Sequence, residues 1–197
     1  NFTDEERSSL IKAVCEEIKK LSESMCIGGI KGVLVAGLGN RKITSDSLGP
    51  LCSDNINITR QINVSDTESK IYPEISAISP GVLAQPGIET VELIRGAAQN
   101  CSPSLVIVID ALASRSVGRL ASTVQLSDTG IAPGSGIGNH RKKINSETVG
   151  FPVMAIGVPT VTDASPAGEG AGGLFVTPRD IDSSVRACAR IIAYGIN

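Results

Sequence analysis

Apolar positions recur along this chain in two rhythms, one helical and one extended, and the two alternate from end to end. Leu10, Ile11, Val14, Ile18 and Leu21 follow one another at helical spacing behind Thr3 and Glu6, a capping-box pair, which predicts an amphipathic helix over 4–24 with Cys15 on its core stripe. "GVLVAGLGN" (32–40) reads as a short buried strand running into a glycine turn, and "SDSLGPLCSDNINITR" (45–60) as a helix entered at Ser45 or Asp46. "ISAISPG" (75–81) is a weaker strand, followed by a helix over 88–98. "SLVIVIDA" (104–111) is the clearest strand, "STVQLSD" (122–128) alternates like an edge strand, and "FPVMAIGVPT" (151–160) is again buried. In the last segment Thr177 is placed as N-cap and Pro178 at the first helical position, with Ile181, Val185, Ala189 and Ile192 on one stripe. Strands alternating with helices predict an α/β fold of three layers, α/β/α, around a largely parallel or mixed sheet, in one domain over 1–197.

Two loops interrupt that rhythm. "SDTGIAPGSGIGNHRKK" (127–143) is glycine-rich without apolar periodicity and is expected to be functional, whereas "ASPAGEGAGG" (164–173) is close to low complexity and is expected to be mobile. Composition adds that the core is aliphatic: of 197 residues 41% are hydrophobic but only 3% aromatic, with no Trp and 21 Gly. The net charge of -2 gives no general attraction for nucleic acid or anionic membrane. The one basic cluster, 140–143, reads as a solvated loop or, less simply, a phosphate or substrate contact. With no membrane-length apolar run and no signal-peptide pattern, a soluble cytosolic protein is expected. Five cysteines without a CxxC suit a reducing compartment and idle thiols.

Chemistry enters through two carboxylates. Asp110 follows five apolar residues, and in open α/β sheets the carboxyl ends of strands face the ligand crevice, so it is either a site residue or a local acceptor for the turn 111–114. Asp46 lies in the loop after the first strand, where it either caps the following helix or reaches the same crevice. If both converge, repulsion keeps one protonated near neutrality, which supplies an acid and a base around one water and allows amide hydrolysis without serine, cysteine or metal. The rivals are thin. His140 is the sole histidine, an oxygen-only metal site would need Asp46, Asp110 and Glu89 together, and "GLGN" lacks the rest of a dinucleotide or P-loop fingerprint, so its glycines read as a tight turn. No cofactor is implied.

"GLGNRKITSDSLGP", "AISPGVLAQPGIET", "IDALASRS", "QLSDTGIAPGSGIGNHRK" and "VMAIGVPTVTDA" closely resemble, in order, segments of the spore germination proteases, from about residue 33 to 164 and again at "LFVTPRDID". The resemblance implies an atypical aspartic endopeptidase that degrades small acid-soluble spore proteins, with a fold similar to that of the hydrogenase-maturation endopeptidases. It implies essential aspartates at Asp46 and Asp110, a spore-core location, a homotetramer, and a zymogen that removes an N-terminal propeptide. Two departures stand out: family members carry a region ahead of the first helix, and a longer stretch where this chain has "SPAGEGAGG".

The expected mechanism has one aspartate ionised and drawing a proton from water while the other, protonated, donates to the substrate; the sequence leaves open which is which. Crevice walls are expected at Asn40, at Gly134, Gly136 and Asn139, and at Thr160, with Arg115 as an anchor for an acidic substrate side chain or as a surface ion-pair partner. A catalytically silent peptide-binding paralogue and a metal-assisted peptidase are the alternative readings.

Overall fold

The apolar rhythms resolve, in the computed structural model, into five helices and six strands among the described residues, 2–62, 73–135, 141–164 and 174–197. In chain order these are α1 (Asp4–Met25), β1 (Gly32–Gly37), α2 (Leu48–Asp54), β2 (Glu74–Ile78), α3 (Thr90–Cys101), β3 (Leu105–Ser114), β4 (Gln125–Ser127), α4 (Ser146–Val149), β5 (Val153–Asp163), β6 (Phe175–Val176) and α5 (Ile181–Ile196). Strands β2, β1, β3 and β5 lie parallel in that spatial order; β4 and β6 both join β5 antiparallel. The sheet is therefore mixed with a parallel core, and β4 is the edge strand its alternation predicts.

Side chains of a strand alternate between faces, and here both faces are buried. Val33, Val35, Ile107, Ile109, Met154 and Ile156 meet α1, α2 and α5 on one side, while Leu34, Ala36, Val106, Val108, Val153 and Ala155 meet α3 and α4 on the other. That is the three-layer arrangement the sequence predicts. The capping box closes as expected, Thr3 N–H donating to Glu6 Oε2 at 2.8 Å and Glu6 N–H to Thr3 Oγ1 at 3.2 Å. Val14 and Ile18 are the buried apolar residues of α1; Leu10 is 37% exposed and Cys15 only half-buried, so the helix rests on a narrower stripe than its pattern suggests.

Three local expectations fail, each for a definable reason. The helix expected over 45–60 is a 3-10 turn at Thr44–Asp46 followed by the short α2. Pro50 is the cause: it has no N–H for the carbonyl four residues back, and its ring clashes with that carbonyl, so an α-helix cannot run through residue 46. Helix α5 starts at Ile181 rather than Pro178, because Thr177 Oγ1 donates to the Thr160 carbonyl at 2.8 Å instead of capping a helix. Strand β3 does not stop at the charge but continues to Ser114, held by β5 across a bulge between Leu112 and Ala113 that leaves Thr160 as the extra residue. Its other neighbour, β1, ends at Gly37 opposite Ile109. The sheet therefore opens on one side immediately before Asp110. The segment 165–173, expected to be mobile, lies outside the described residues, and no helix among the described residues is long and apolar enough to cross a membrane.

Helix α2 packs against the end of β1 more closely than any side chain would permit. A Cβ on Gly37 would fall on the Gly49 carbonyl, and one on Gly49 on the Leu38 backbone. Gly49→Ala is thus expected to destabilise by about 2 kcal/mol or more in urea unfolding, despite alanine's better helix propensity. Gly96→Ala, in α3 with open space around it, should instead stabilise by about 0.5–1 kcal/mol. Equal effects at the two positions would refute the packing argument.

Candidate active site

Where β1 ends and β3 continues, the structure opens a cleft of about 580 Å3 with Asp46 and Asp110 in its walls. Asp110 is 5% exposed and its Oδ1 accepts one hydrogen bond, from the Ala111 N–H at 2.9 Å. Burial, reinforced by the charge of Asp46, pushes its carboxyl up to about 7, with the Ala111 N–H opposing. The turn that would have used Asp110 locally does not form, since residues 111–114 are strand.

Asp46 is placed by the loop after β1. Gly39 adopts φ +106°, and a Cβ there would meet the Asp46 carbonyl, so only glycine lets the chain fold back over this residue. The Asn40 N–H then donates to Asp46 Oδ2 at 2.8 Å. Asp46 does not cap α2: the N-cap is Ser47, without a side-chain capping bond. Its carboxyl is raised by partial burial, while the Asn40 N–H and the charge of Arg141 pull it back. The two carboxylates thus share a cleft but not an environment.

Of the other residues singled out in the sequence, Asn40, Gly134 and Thr160 line this cleft. Asn40 is also part of the scaffold, its Oδ1 accepting from Lys42 N–H at 3.0 Å and Gln85 Nε2 at 3.3 Å. Thr160 is 1% exposed, fixed by the bulge and by Thr177. Arg115 lies just past the end of β3, exposed and not among the residues lining the cleft, because the strand continues through Ser114. Gly136, Asn139 and His140 lie outside the described residues. Glu89 is not brought to the carboxylates; it occupies the N-cap position of α3, and no group of three or more His, Cys, Asp or Glu that could hold a metal occurs among the described residues.

The cleft also recruits residues that the pattern did not flag. Arg141 turns inward from the basic run, whereas Lys142 pairs with Glu92 at 3.2 Å and Lys143 is exposed. Val82, Leu112, Val161 and Phe175 give the walls an apolar character. The sequence held a weak signal for Arg141, its cluster being the chain's one basic run, and none for Phe175, which sits on the two-residue strand β6.

The model of the germination protease family matches residues 3–171. The chain is 34% identical to the germination protease of Clostridium acetobutylicum, an alignment covering 100% of this chain and 73% of that protein. It is 44% identical to that of Bacillus subtilis over 82% of this chain and 45% of the relative. Among solved structures, the [NiFe] hydrogenase maturation protease HycI from Thermococcus kodakarensis superposes with a TM-score of 0.52 at 19% identity, over 90% of this chain and 99% of that one, a likeness of fold. With a family model spanning most of its length and relatives aligned from end to end, this chain, its two aspartates facing one cleft, belongs to the germination protease family.

Proposed function

We propose that the chain is an endopeptidase acting on small acid-soluble spore proteins during germination, and that Asp46 and Asp110 together hydrolyse the peptide bond. The observation that carries this reading is the meeting of two carboxylates in one cleft with unequal electrostatic support. Asp110, nearly fully buried beside the charge of Asp46, holds its proton to about 7; Asp46 is raised by partial burial too, but the Asn40 N–H and the charge of Arg141 pull it back, which makes it the more readily ionised of the two. Asp46 is then the base that takes a proton from water, and Asp110 the acid that donates to the peptide as it breaks. The apolar walls suit an extended, unfolded substrate segment whose backbone enters beside Thr160 and Gly134.

A pair of this kind needs one proton present and one absent, so turnover should follow a bell in pH. The alkaline limb is expected near 7, where Asp110 loses its proton, and the acid limb above the ordinary carboxylate value because Asp46 is also raised. Rates of cleavage of a small acid-soluble spore protein between pH 4 and 9 check this; a flat profile through 7 would remove Asp110 as the acid. Asp46→Asn and Asp110→Asn should each lower kcat by about 10²-fold or more, with wild-type turnover indifferent to a chelator. Retained activity in either variant excludes the pair, and chelator sensitivity favours metal-assisted hydrolysis.

Stability offers an independent check. Unfolded, Asp110 would release its proton near 4, whereas folded it holds it to about 7, so between those values the native state binds the extra proton and wild-type stability falls as pH rises. Asp110→Asn does not titrate. It should therefore gain on wild type across this window, by up to about 4 kcal/mol at pH 8 and by little at pH 4, measured as the difference in urea unfolding at the two pH values.

A further inference from the structure

Among the described residues, Arg141 Nη1 is buried and has no hydrogen-bond partner. Buried guanidinium donors are seldom left that way, because the lost hydration is not returned. The segment that carries it is firmly pinned. Ile131 and Ile144 exchange backbone hydrogen bonds of 2.9 and 2.8 Å, Ile144 is fully buried, and Asn145 begins α4 with its own capping box. Three residues upstream of Ile144, Arg141 faces the cleft that holds Asp46 and Asp110. Its charge reaches Asp46, whose Oδ2 accepts from the Asn40 N–H, and Nη1 has no acceptor, so the guanidinium stands in the cleft wall without a fixed carboxylate partner for Nη1.

In the assignment above the proton of Asp110 goes to the leaving amine, and Asp46 is ionised while water adds, so neither aspartate donates to the carbonyl oxygen as its charge develops. A donor from elsewhere in the cleft stabilises that charge. We propose that Arg141 is a third catalytic residue, whose guanidinium receives the scissile carbonyl oxygen and stabilises the negative charge that develops there. Water adds to the carbonyl carbon, its proton passes to Asp46, and the C=O π pair moves onto oxygen beside Arg141. The oxyanion then re-forms C=O as the C–N bond breaks, and nitrogen takes the proton of Asp110. Asp46 afterwards returns its proton to solvent and Asp110 is reprotonated from it. This assignment rests on the peptidase reading above.

The test uses two ligands built on one peptide of a small acid-soluble spore protein, a phosphinate in place of the scissile amide, anionic and tetrahedral, and a neutral hydroxyethylene isostere. Binding to wild type, Arg141→Gln and Arg141→Lys is measured by calorimetry, with thermal unfolding to establish that the variants fold. Arg141→Gln is expected to weaken the phosphinate by about 10²-fold and the neutral isostere by less than about threefold, with Arg141→Lys intermediate. In turnover its kcat should drop by about 10²–10³-fold at nearly constant KM, equally for the peptide and for an analogue with Glu replaced by Gln. Equal weakening of both ligands, a wild type that does not prefer the phosphinate, or a loss confined to KM for acidic peptides would overturn the proposal, the last pointing to a side-chain anchor instead. Should Gln prevent folding, the Lys variant carries the same comparison. If Asp46→Asn and Asp110→Asn keep activity, the aspartate-pair reading itself falls; if they are inactive while Arg141→Gln keeps its kcat, only the role of Arg141 falls.

Discussion

At the end of β1 Gly37 meets Gly49, in the first turn of α2, backbone against backbone, and the placement of Asp46 depends on that contact. Gly37 and Gly49 face each other without side chains, and Gly39 bends back at positive φ over the carbonyl of Asp46. Any Cβ in this region would displace the 3-10 turn outward, and Asp46 with it. Leu38 N–H meanwhile donates to the Ile109 carbonyl at 2.8 Å, tying the same loop to the residue before Asp110. One close approach therefore fixes both carboxylates relative to one frame, although 64 positions separate them in the chain. Placing a charge to within fractions of an ångström is what acid–base chemistry demands, and backbone held by backbone does this with few soft degrees of freedom.

Electrostatic contrast then separates the two carboxylates. Both carboxylates lose water, Asp110 more completely than Asp46, which raises both, and the charge of Asp46 raises Asp110 further. What separates them is local: Asp110 has a single backbone N–H and hydrophobic surroundings, while Asp46 has the Asn40 N–H and a cation within range. The asymmetry comes from ordinary parts, a strand that buries one residue and a loop that half-exposes the other. Arg141 completes the charge pattern, giving the cleft a positive element beside two acidic ones.

Segments 130–135 and 141–144 are joined at their outer ends. The Ile131–Ile144 bridge and the packing of Gly130 beneath the Ile144 carbonyl hold those ends together, so that Gly134 and Arg141 are delivered to the cleft from a pinned start and finish. Thr177 plays a similar part on the far wall, exchanging a helix cap for a hydrogen bond to the bulged Thr160. In both places the structure departs from the simplest local reading, and in both the departure shapes the cleft.

By itself the sequence determined the layers: short, continuous apolar runs such as 105–109 and 153–158, rich in β-branched residues, read as strands buried on both faces, and the stripe of Val14 and Ile18 or of Val185, Ala189 and Ile192 as a packed helix face. It also marked Asp46 and Asp110, since a carboxylate closing an apolar run, or opening a loop after one, stands out against its neighbours. Tertiary structure alone decided that Asp110 lies within a strand whose neighbour has ended, that Asp46 bonds to Asn40 rather than to α2, that Arg115 misses the cleft, and that Arg141 enters it. These follow from strand lengths, a bulge and the absence of Cβ atoms at contacts between distant segments, and none of those leaves a periodic trace in the chain. Periodicity reports which face a residue shows, whereas a site is set by which elements stop and which continue.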